Sequence, residues 1–379
     1  MSANAAKPTI LIVDDAPENI DVLKGLLHEQ YSLRPAISGE LALRLVMVEP
    51  VPDLILLDVM MPVMDGYEVC RRLKADSRTR DIPVIFITAK TETEDEVQGL
   101  SLGAVDYLTK PVIPAILKAR VATHLALRQL RHELEEKNQI LNDEKEFLEE
   151  IVTRMRSACP FDGRRVRYIQ KALEKTAGDI ALSACRPDGA QHVLVGDFSG
   201  HGLPAALGGP LVSYIFYHLT SEGHDMQFIL TELNRTLCRQ LPTQLYMAAS
   251  ALEVPPQGNQ VLIWNNGLPP LLCLSGAAEM VRLKSSGLPL GMIESPESYE
   301  PHARLDVLPA MRIYQYSDGI TEAETPAHEM YGQVRLEKLL ERIYRENLSL
   351  EAVWEELDLF CAGQGLMDDA LLVETTVAL

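Results

Sequence analysis

The spacing of hydrophobic residues changes twice along this chain. From Thr9 to about His124, short unbroken apolar runs alternate with amphipathic stretches. Ile10-Leu11-Ile12-Val13, Leu54-Ile55-Leu56-Leu57 and Val84-Ile85-Phe86-Ile87 show no polar alternation, which predicts strands buried on both faces. Between them, Glu18–Glu29, Gly39–Glu49, Gly66–Lys74 and Glu92–Leu102 have helical spacing. Buried strands alternating with helices predict a doubly wound α/β domain with a parallel sheet, whose ligands sit beyond the carboxyl ends of the strands.

The second texture is a heptad. Leu127, Leu134, Leu141, Leu148 and Met155 recur every seven residues, with Leu130 and Ile151 at the other seam position. The residues between are mostly Glu, Lys, Arg, Gln and Asn, and neither Gly nor Pro occurs between Ala115 and Ala158. This predicts a helical linker that pairs with a second copy as a coiled coil of ~4 heptads. Lys137 and Glu144 fall on the seam, so the coil should be weak. A solitary amphipathic helix packed on a domain is the alternative.

From Cys159 onward, strand-like runs at Val193–Val195, Val261–Trp264, Arg312–Tyr316 and Leu371–Val373 mix with helical stretches. The helices are expected at Pro204–Leu219, Met226–Gln240, Arg335–Arg345 and near Leu350–Phe360. Grouped strands broken by long helices predict an α+β domain with mainly antiparallel sheets. The expected divisions are 1–125, a linker at 126–157, and 158–379.

The 379 residues carry a formal charge of −19. That balance opposes a nucleic-acid partner or an anionic membrane surface. No apolar run approaches the roughly 20 residues that span a bilayer, and Met1–Pro8 lacks the apolar core of a signal peptide. Six Cys are scattered with no Cys-x-x-Cys pair, so disulfides and zinc are not expected and a cytoplasmic location is.

Two groups of acidic residues suggest chemistry. In the first domain Asp14 and Asp15 follow one strand, Asp58 ends another, Thr88 ends a third, and Lys110-Pro111 follows a short apolar run. Three carboxylates at neighbouring strand ends can hold one Mg2+. Asp58 could then accept a phosphoryl group, with Lys110 neutralising its charge and the Thr88 hydroxyl donating to it.

Residues 8–125 closely resemble the receiver domain of two-component response regulators. The resemblance rests on Leu11-Ile12-Val13-Asp14-Asp15, Leu57-Asp58-Val59-Met60-Met61-Pro62, Met64-Asp65-Gly66, Thr88-Ala89 and Lys110-Pro111. It implies a five-stranded parallel sheet, Asp58 as phosphoacceptor, and Mg2+ held by Asp14, Asp15, Asp58 and the Met60 carbonyl. It also implies a cis Lys110–Pro111 bond and a sensor histidine kinase or phosphotransfer protein as partner. Tyr107 matches the aromatic switch position, with simple packing as its alternative.

The second group is four loops: Ala177-Gly178-Asp179, Gly196–Gly202, Tyr316-Ser317-Asp318-Gly319 and Asp368-Asp369. Carboxylates from distant segments repel one another unless cations lie among them. Two ions about 3.5–4 Å apart could activate water for in-line attack on phosphorus, so no side-chain nucleophile is required. A backbone carbonyl at Phe198 could complete a metal shell.

Residues 160–379 resemble the SpoIIE-like branch of the metal-dependent (PPM) serine/threonine protein phosphatases. Leu203-Pro204-Ala205-Ala206-Leu207, Asn265–Pro270, Gly287–Gly291 and Tyr316–Glu322 fit that branch together with the acidic loops. The resemblance implies a two-sheet antiparallel β-sandwich flanked by helices, and two Mn2+ or Mg2+ ions. Asp179, Asp197, Asp318 and Asp368 would be the catalytic metal ligands, with Asp197 bridging. Asp369 remains an alternative direct ligand. His201 could meet substrate phosphate or order its loop, and Glu322 is expected to be solvated or to start a helix. Ala177, Leu268 and Leu371 replace the branch's usual Gly, His and Thr.

Together these resemblances imply a homodimeric response regulator whose Asp58 phosphorylation controls a phosphatase. The implied substrate is a phosphorylated anti-sigma-factor antagonist. A catalytically weak phosphatase-like adaptor that binds or sequesters a regulatory protein is the alternative.

Overall fold

A computed structural model of the chain describes residues 7–89, 99–157, 160–173, 176–200, 202–256, 260–276, 280–294 and 299–377. The chain divides into two compact units, Met1–Leu141 and Asn142–Leu379.

In the first unit five parallel strands lie in the order β2-β1-β3-β4-β5. They are β1 (Thr9–Val13), β2 (Ser32–Ala36), β3 (Leu54–Asp58), β4 (Val84–Thr88) and β5 (Asp106–Thr109). All five residues of β1, β3 and β4 are buried, because successive side chains feed opposite cores. Leu11, Val13, Ile55, Leu57 and Phe86 pack on one face, and Ile10, Ile12, Leu54, Leu56 and Ile85 on the other. The doubly wound expectation therefore holds. Strand β2 escaped the hydrophobic pattern because Ser32, Arg34 and Pro35 interrupt it; as an edge strand it tolerates the proline.

Helices α1 (Pro17–Leu27), α2 (Gly39–Leu45) and α3 (Gly66–Ala75) follow the predicted stretches, α2 ending earlier than Glu49. Most of the stretch expected at Glu92–Leu102 lies outside the described residues. The Lys110–Pro111 bond is cis, as expected. Helix α4 runs unbroken over Pro114–Ser157. Its seam residues are exposed, from 38% at Ile151 to 62% at Leu130, and Ile140 and Phe147 widen the apolar stripe.

The second unit holds two five-stranded sheets, β13-β10-β9-β8-β7 and β12-β11-β14-β15-β6, with antiparallel pairing throughout. The strands are β6 (Val166–Lys171), β7 (Ile180–Cys185), β8 (Gln191–Phe198), β9 (Met247–Val254), β10 (Gln260–Asn266), β11 (Leu271–Leu274), β12 (Val281–Leu283), β13 (Ala303–Asp306), β14 (Arg312–Tyr316) and β15 (Ala370–Thr376). Val193, Val195, Leu252 and Ile263 of one sheet meet Cys273, Ile313, Leu371 and Val373 of the other. Helices α6 (Gly208–Glu222) and α7 (Met226–Gln240) cover the outside of the first sheet. After the single turn α8 (Asp318–Thr321), α9 (Gln333–Glu346) and α10 (Ala352–Phe360) cover the second. This is the expected helix-flanked sandwich.

The helix expected over Pro204–Leu219 is split into α5 (Gly202–Ala206) and α6, with Leu207 between them. The Phe198 ring fills the space a side chain at Gly208 would need, a Cβ there lying 2.2 Å from it. Among the described residues no helix is long and apolar enough to cross a membrane.

Candidate functional site

At the carboxyl end of the parallel sheet, Asp14, Asp15 and Asp58 each bring a carboxylate oxygen within 4.8 Å of the others. Asp14 and Asp58 are buried and Asp15 is exposed. Lys110 Nζ reaches Asp14 Oδ2 at 2.8 Å and Asp58 Oδ1 at 3.0 Å. Burial works against the Lys110 charge, yet its bonds to Asp14 and Asp58 hold its pKa above the ordinary value. Burial pushes the Asp58 carboxyl up, against the pull of Lys110 and helped by Asp14 and Asp15. Asn19 Nδ2 donates to both oxygens of Asp14, at 2.9 and 3.0 Å. Gly66 has a steric reason: a Cβ there would lie 2.2 Å from the Asp58 carbonyl oxygen. Thr88 is buried at the end of β4, Tyr107 is half-buried on β5, and the Met60 side chain is exposed just beyond β3.

The other acidic residues stand where the two sheets of the sandwich end together. Asp179 precedes β7, Asp197 is the penultimate residue of β8, Asp318 opens α8 after β14, and Asp368-Asp369 precede β15. Ser317 joins the sheets, its Oγ donating to Asp179 Oδ2 at 2.7 Å and accepting from Leu371 N at 2.9 Å. Asp369 organises backbone: Oδ1 accepts from Leu173 N at 2.8 Å and Oδ2 from Gly178 N at 2.7 Å. Asp368 is half-buried, with Oδ1 accepting from Asp369 N at 2.8 Å. Gly319 lets two acidic loops touch, since a Cβ there would lie 2.0 Å from the Asp369 carbonyl oxygen. The Phe198 carbonyl oxygen lies beside Gly178, 3.4 Å from where its Cβ would be. His201 lies outside the described residues. Glu322 is exposed and ends α8 rather than starting a helix.

These carboxylates carry a charge problem. Burial, then Asp179, Asp318, Asp368 and Asp369, pushes Asp197 from 3.8 to about 8. Burial raises Asp179 to about 7 despite the Ser317 hydrogen bond, with Asp369, Asp318 and Asp368 adding to the rise. Asp318 is raised by burial and by Asp368. Asp179 Oδ1 is also buried with no hydrogen-bond partner. An orphaned oxygen among mutually repelling carboxylates fits hard divalent cations. Among the described residues, only the receiver's three acids bring one oxygen each within 4.8 Å of one another. No three of Asp179, Asp197, Asp318 and Asp368 do so.

The family model for stage II sporulation protein E (SpoIIE) matches residues 187–377, half of the sequence. The chain belongs to the SpoIIE family. The model for the response regulator receiver domain matches residues 10–122, so a SpoIIE-family domain is fused to a receiver. The SiaA-PP2C domain of Pseudomonas aeruginosa superposes with a TM-score of 0.53 at 19% identity, over 63% of this chain and 98% of that one. That likeness shows a PP2C fold. A probable cyclic di-GMP phosphodiesterase of Vibrio cholerae is 44% identical over 153 residues, which is 40% of this chain and 34% of that protein. The response regulator PleD of Caulobacter vibrioides is 45% identical over 129 residues, 34% of this chain and 28% of that protein. The chain thus spans about a third or less of these curated relatives' lengths.

Motif reasoning leaves Asn19, Gln170 and Arg156 unmarked at the SpoIIE and receiver sites, and gives Ser317 no role of its own although it lies in a marked loop. Asn19 and Ser317 stand beside recognised acids but are small polar residues of a kind found in any turn. Gln170, whose Nε2 donates to the Asp179 carbonyl at 2.9 Å, and Arg156 on α4 come from segments without an acidic signal.

Proposed function

We propose that this chain is a response regulator whose receiver controls a metal-dependent phosphoserine or phosphothreonine protein phosphatase. Asp58 is the phosphoacceptor, supplied by a sensor histidine kinase or phosphotransfer protein. Asp14, Asp15, Asp58 and the Met60 carbonyl hold its Mg2+. Lys110, already bridging Asp14 and Asp58, steadies the added phosphoryl charge, the Thr88 hydroxyl donates to it, and Tyr107 follows the change.

In the SpoIIE domain, Asp179, Asp197, Asp318 and Asp368, with the Phe198 carbonyl, hold two Mn2+ or Mg2+ ions. When bound, the ions supply Lewis acidity for hydrolysis of the phosphate ester. The chain's part is to keep the ligands in place. Ser317 fixes one Asp179 oxygen and leaves the other open. Asp369 fixes the Gly178 amide, which favours Asp368 as the direct ligand. The observation that carries this reading is the orphaned, buried Asp179 Oδ1 beside the half-buried Asp197, Asp318 and Asp368, with burial and neighbouring carboxylates raising Asp179 and Asp197.

The substrate we infer is a phosphorylated anti-sigma-factor antagonist in the cytoplasm, so that the output alters transcription without binding DNA. The exposed α4 stripe is the homodimer seam. Hydrolysis of p-nitrophenyl phosphate that requires Mn2+ and disappears in Asp197→Ala tests the catalytic claim. Tight binding of a regulatory protein with no hydrolysis under any divalent cation would favour the adaptor reading instead.

A further inference from the structure

The loop carrying Asp179 is gripped from outside the sandwich by the last turn of α4. Arg156 Nη1 donates to the Ala177 carbonyl at 2.7 Å, and Nη2 donates to the Asp179 carbonyl at 2.6 Å. The two bonds straddle Gly178, whose own amide is bound by Asp369. A planar guanidinium can hold two carbonyls at once, which a lysine ammonium cannot do with the same fixed geometry. The grip is costly to remove, because burial, which lowers the Arg156 pKa against the pull of Asp179 and Asp369, leaves the guanidinium little water to replace the two carbonyls. Beside it lies a cavity of about 460 Å³ lined by Arg156, Gln170, Thr176 and Ser213 among others.

The same stretch of α4 has two working faces. Glu149 and Val152 are buried, whereas Leu148, Ile151 and Met155 on the seam are exposed. Arg156 follows Met155 directly, and neighbouring helical side chains are rotated by about 100°. Any rotation that seats Met155 against a second helix therefore carries Arg156 with it.

We propose that Arg156 is a positioning residue that ties the rotation of the linker helix to the position of Asp179, and so sets how tightly the SpoIIE-domain site holds its cations. The proposal rests on the metal-site reading given above.

Its test is calorimetric Mn2+ titration of the full chain, with the receiver contribution measured in Asp197→Ala and subtracted, alongside p-nitrophenyl phosphate turnover as a function of Mn2+. Arg156→Ala should weaken Mn2+ binding about 10–100-fold, the range seen when groups orienting metal ligands are lost. Turnover at saturating Mn2+ should stay within about threefold, because no ligand has been removed. Arg156→Lys should fall between, and millimolar methylguanidinium should restore Mn2+ affinity to Arg156→Ala by entering the adjoining cavity. Ile151→Asp should weaken Mn2+ binding in the parent chain and add nothing in Arg156→Ala, since both act through one path.

Unchanged Mn2+ affinity in Arg156→Ala, or a loss that methylguanidinium leaves untouched, overturns the proposal while the metal site stands. Additive effects of Ile151→Asp and Arg156→Ala overturn the link to the helix. A parent chain that binds no Mn2+ beyond the receiver's share sinks the metal-site reading and this proposal together.

Discussion

Replacing Asp197 with Asn should make the cation-free protein more stable while destroying its site. The carboxyl of Asp197 is raised from 3.8 to about 8 by burial and four neighbouring carboxylates. The unfolded chain loses this proton near pH 3.8, whereas the folded chain keeps it. Folding therefore takes up a proton over that window, and stability falls as pH rises through it. Each pKa unit corresponds to about 1.4 kcal/mol, so the whole rise is on the order of 5 kcal/mol as a ceiling. Asp179 adds to this rise and is itself raised to about 7, so the share relieved by one substitution is smaller. We expect a gain of about 1–3 kcal/mol at about pH 8, from a side chain of the same shape without the charge. For a domain of this size that raises the melting temperature by roughly 3–10 °C. Differential scanning calorimetry in EDTA would read it, and the gain should shrink towards pH 5. A lower melting temperature for Asp197→Asn in EDTA at pH 8, or a gain independent of pH, would refute the reasoning.

Three further outcomes follow from the same geometry. Since Asp179 and Asp197 retain protons near neutrality, Mn2+ must displace them, so apparent Mn2+ affinity should rise with pH between about 6 and 8.5, accompanied by proton release in buffers of differing ionisation enthalpy. Ser317→Ala removes the O–H that fixes Asp179 Oδ2 and should weaken Mn2+ binding about tenfold; unaltered affinity would show that the bond is incidental. Leu141→Asp places a charge in the exposed α4 stripe and should convert a dimer to a monomer in light scattering, whereas an unchanged mass would remove the coiled-coil seam from the account.

Much of both sites was legible in the sequence because their residues are local to strand ends. The unbroken runs at Ile10, Leu54 and Val84 predicted a sheet, and the polar residues at its carboxyl edge followed by register. In the second domain Asp197 lies at the end of β8, Asp318 follows β14 and Asp368 precedes β15, all strands the hydrophobic pattern marked, whereas β7, which Asp179 precedes, carried no such mark. Three kinds of feature stayed hidden. Strand β2 hid because an edge strand need not be apolar. The close approach of the Phe198 ring to Gly208, just after the split of the helix, is a contact no local pattern encodes. Arg156 and Gln170 reach backbone carbonyls from α4 and β6, and a hydrogen bond to a backbone atom leaves no mark on the partner's identity. The choice between Asp368 and Asp369 is likewise set by tertiary contacts, both oxygens of Asp369 being engaged by the amides of Leu173 and Gly178.

The central claim is that the acidic loops of the SpoIIE domain are a cation site. Crystals of the full chain grown with Mn2+ and measured at the manganese absorption edge address it directly. The account predicts two anomalous peaks about 3.5–4 Å apart among Asp179, Asp197, Asp318 and Asp368, with a separate peak at Asp14, Asp15 and Asp58. A manganese peak in the receiver with none among the four SpoIIE-domain carboxylates would contradict it.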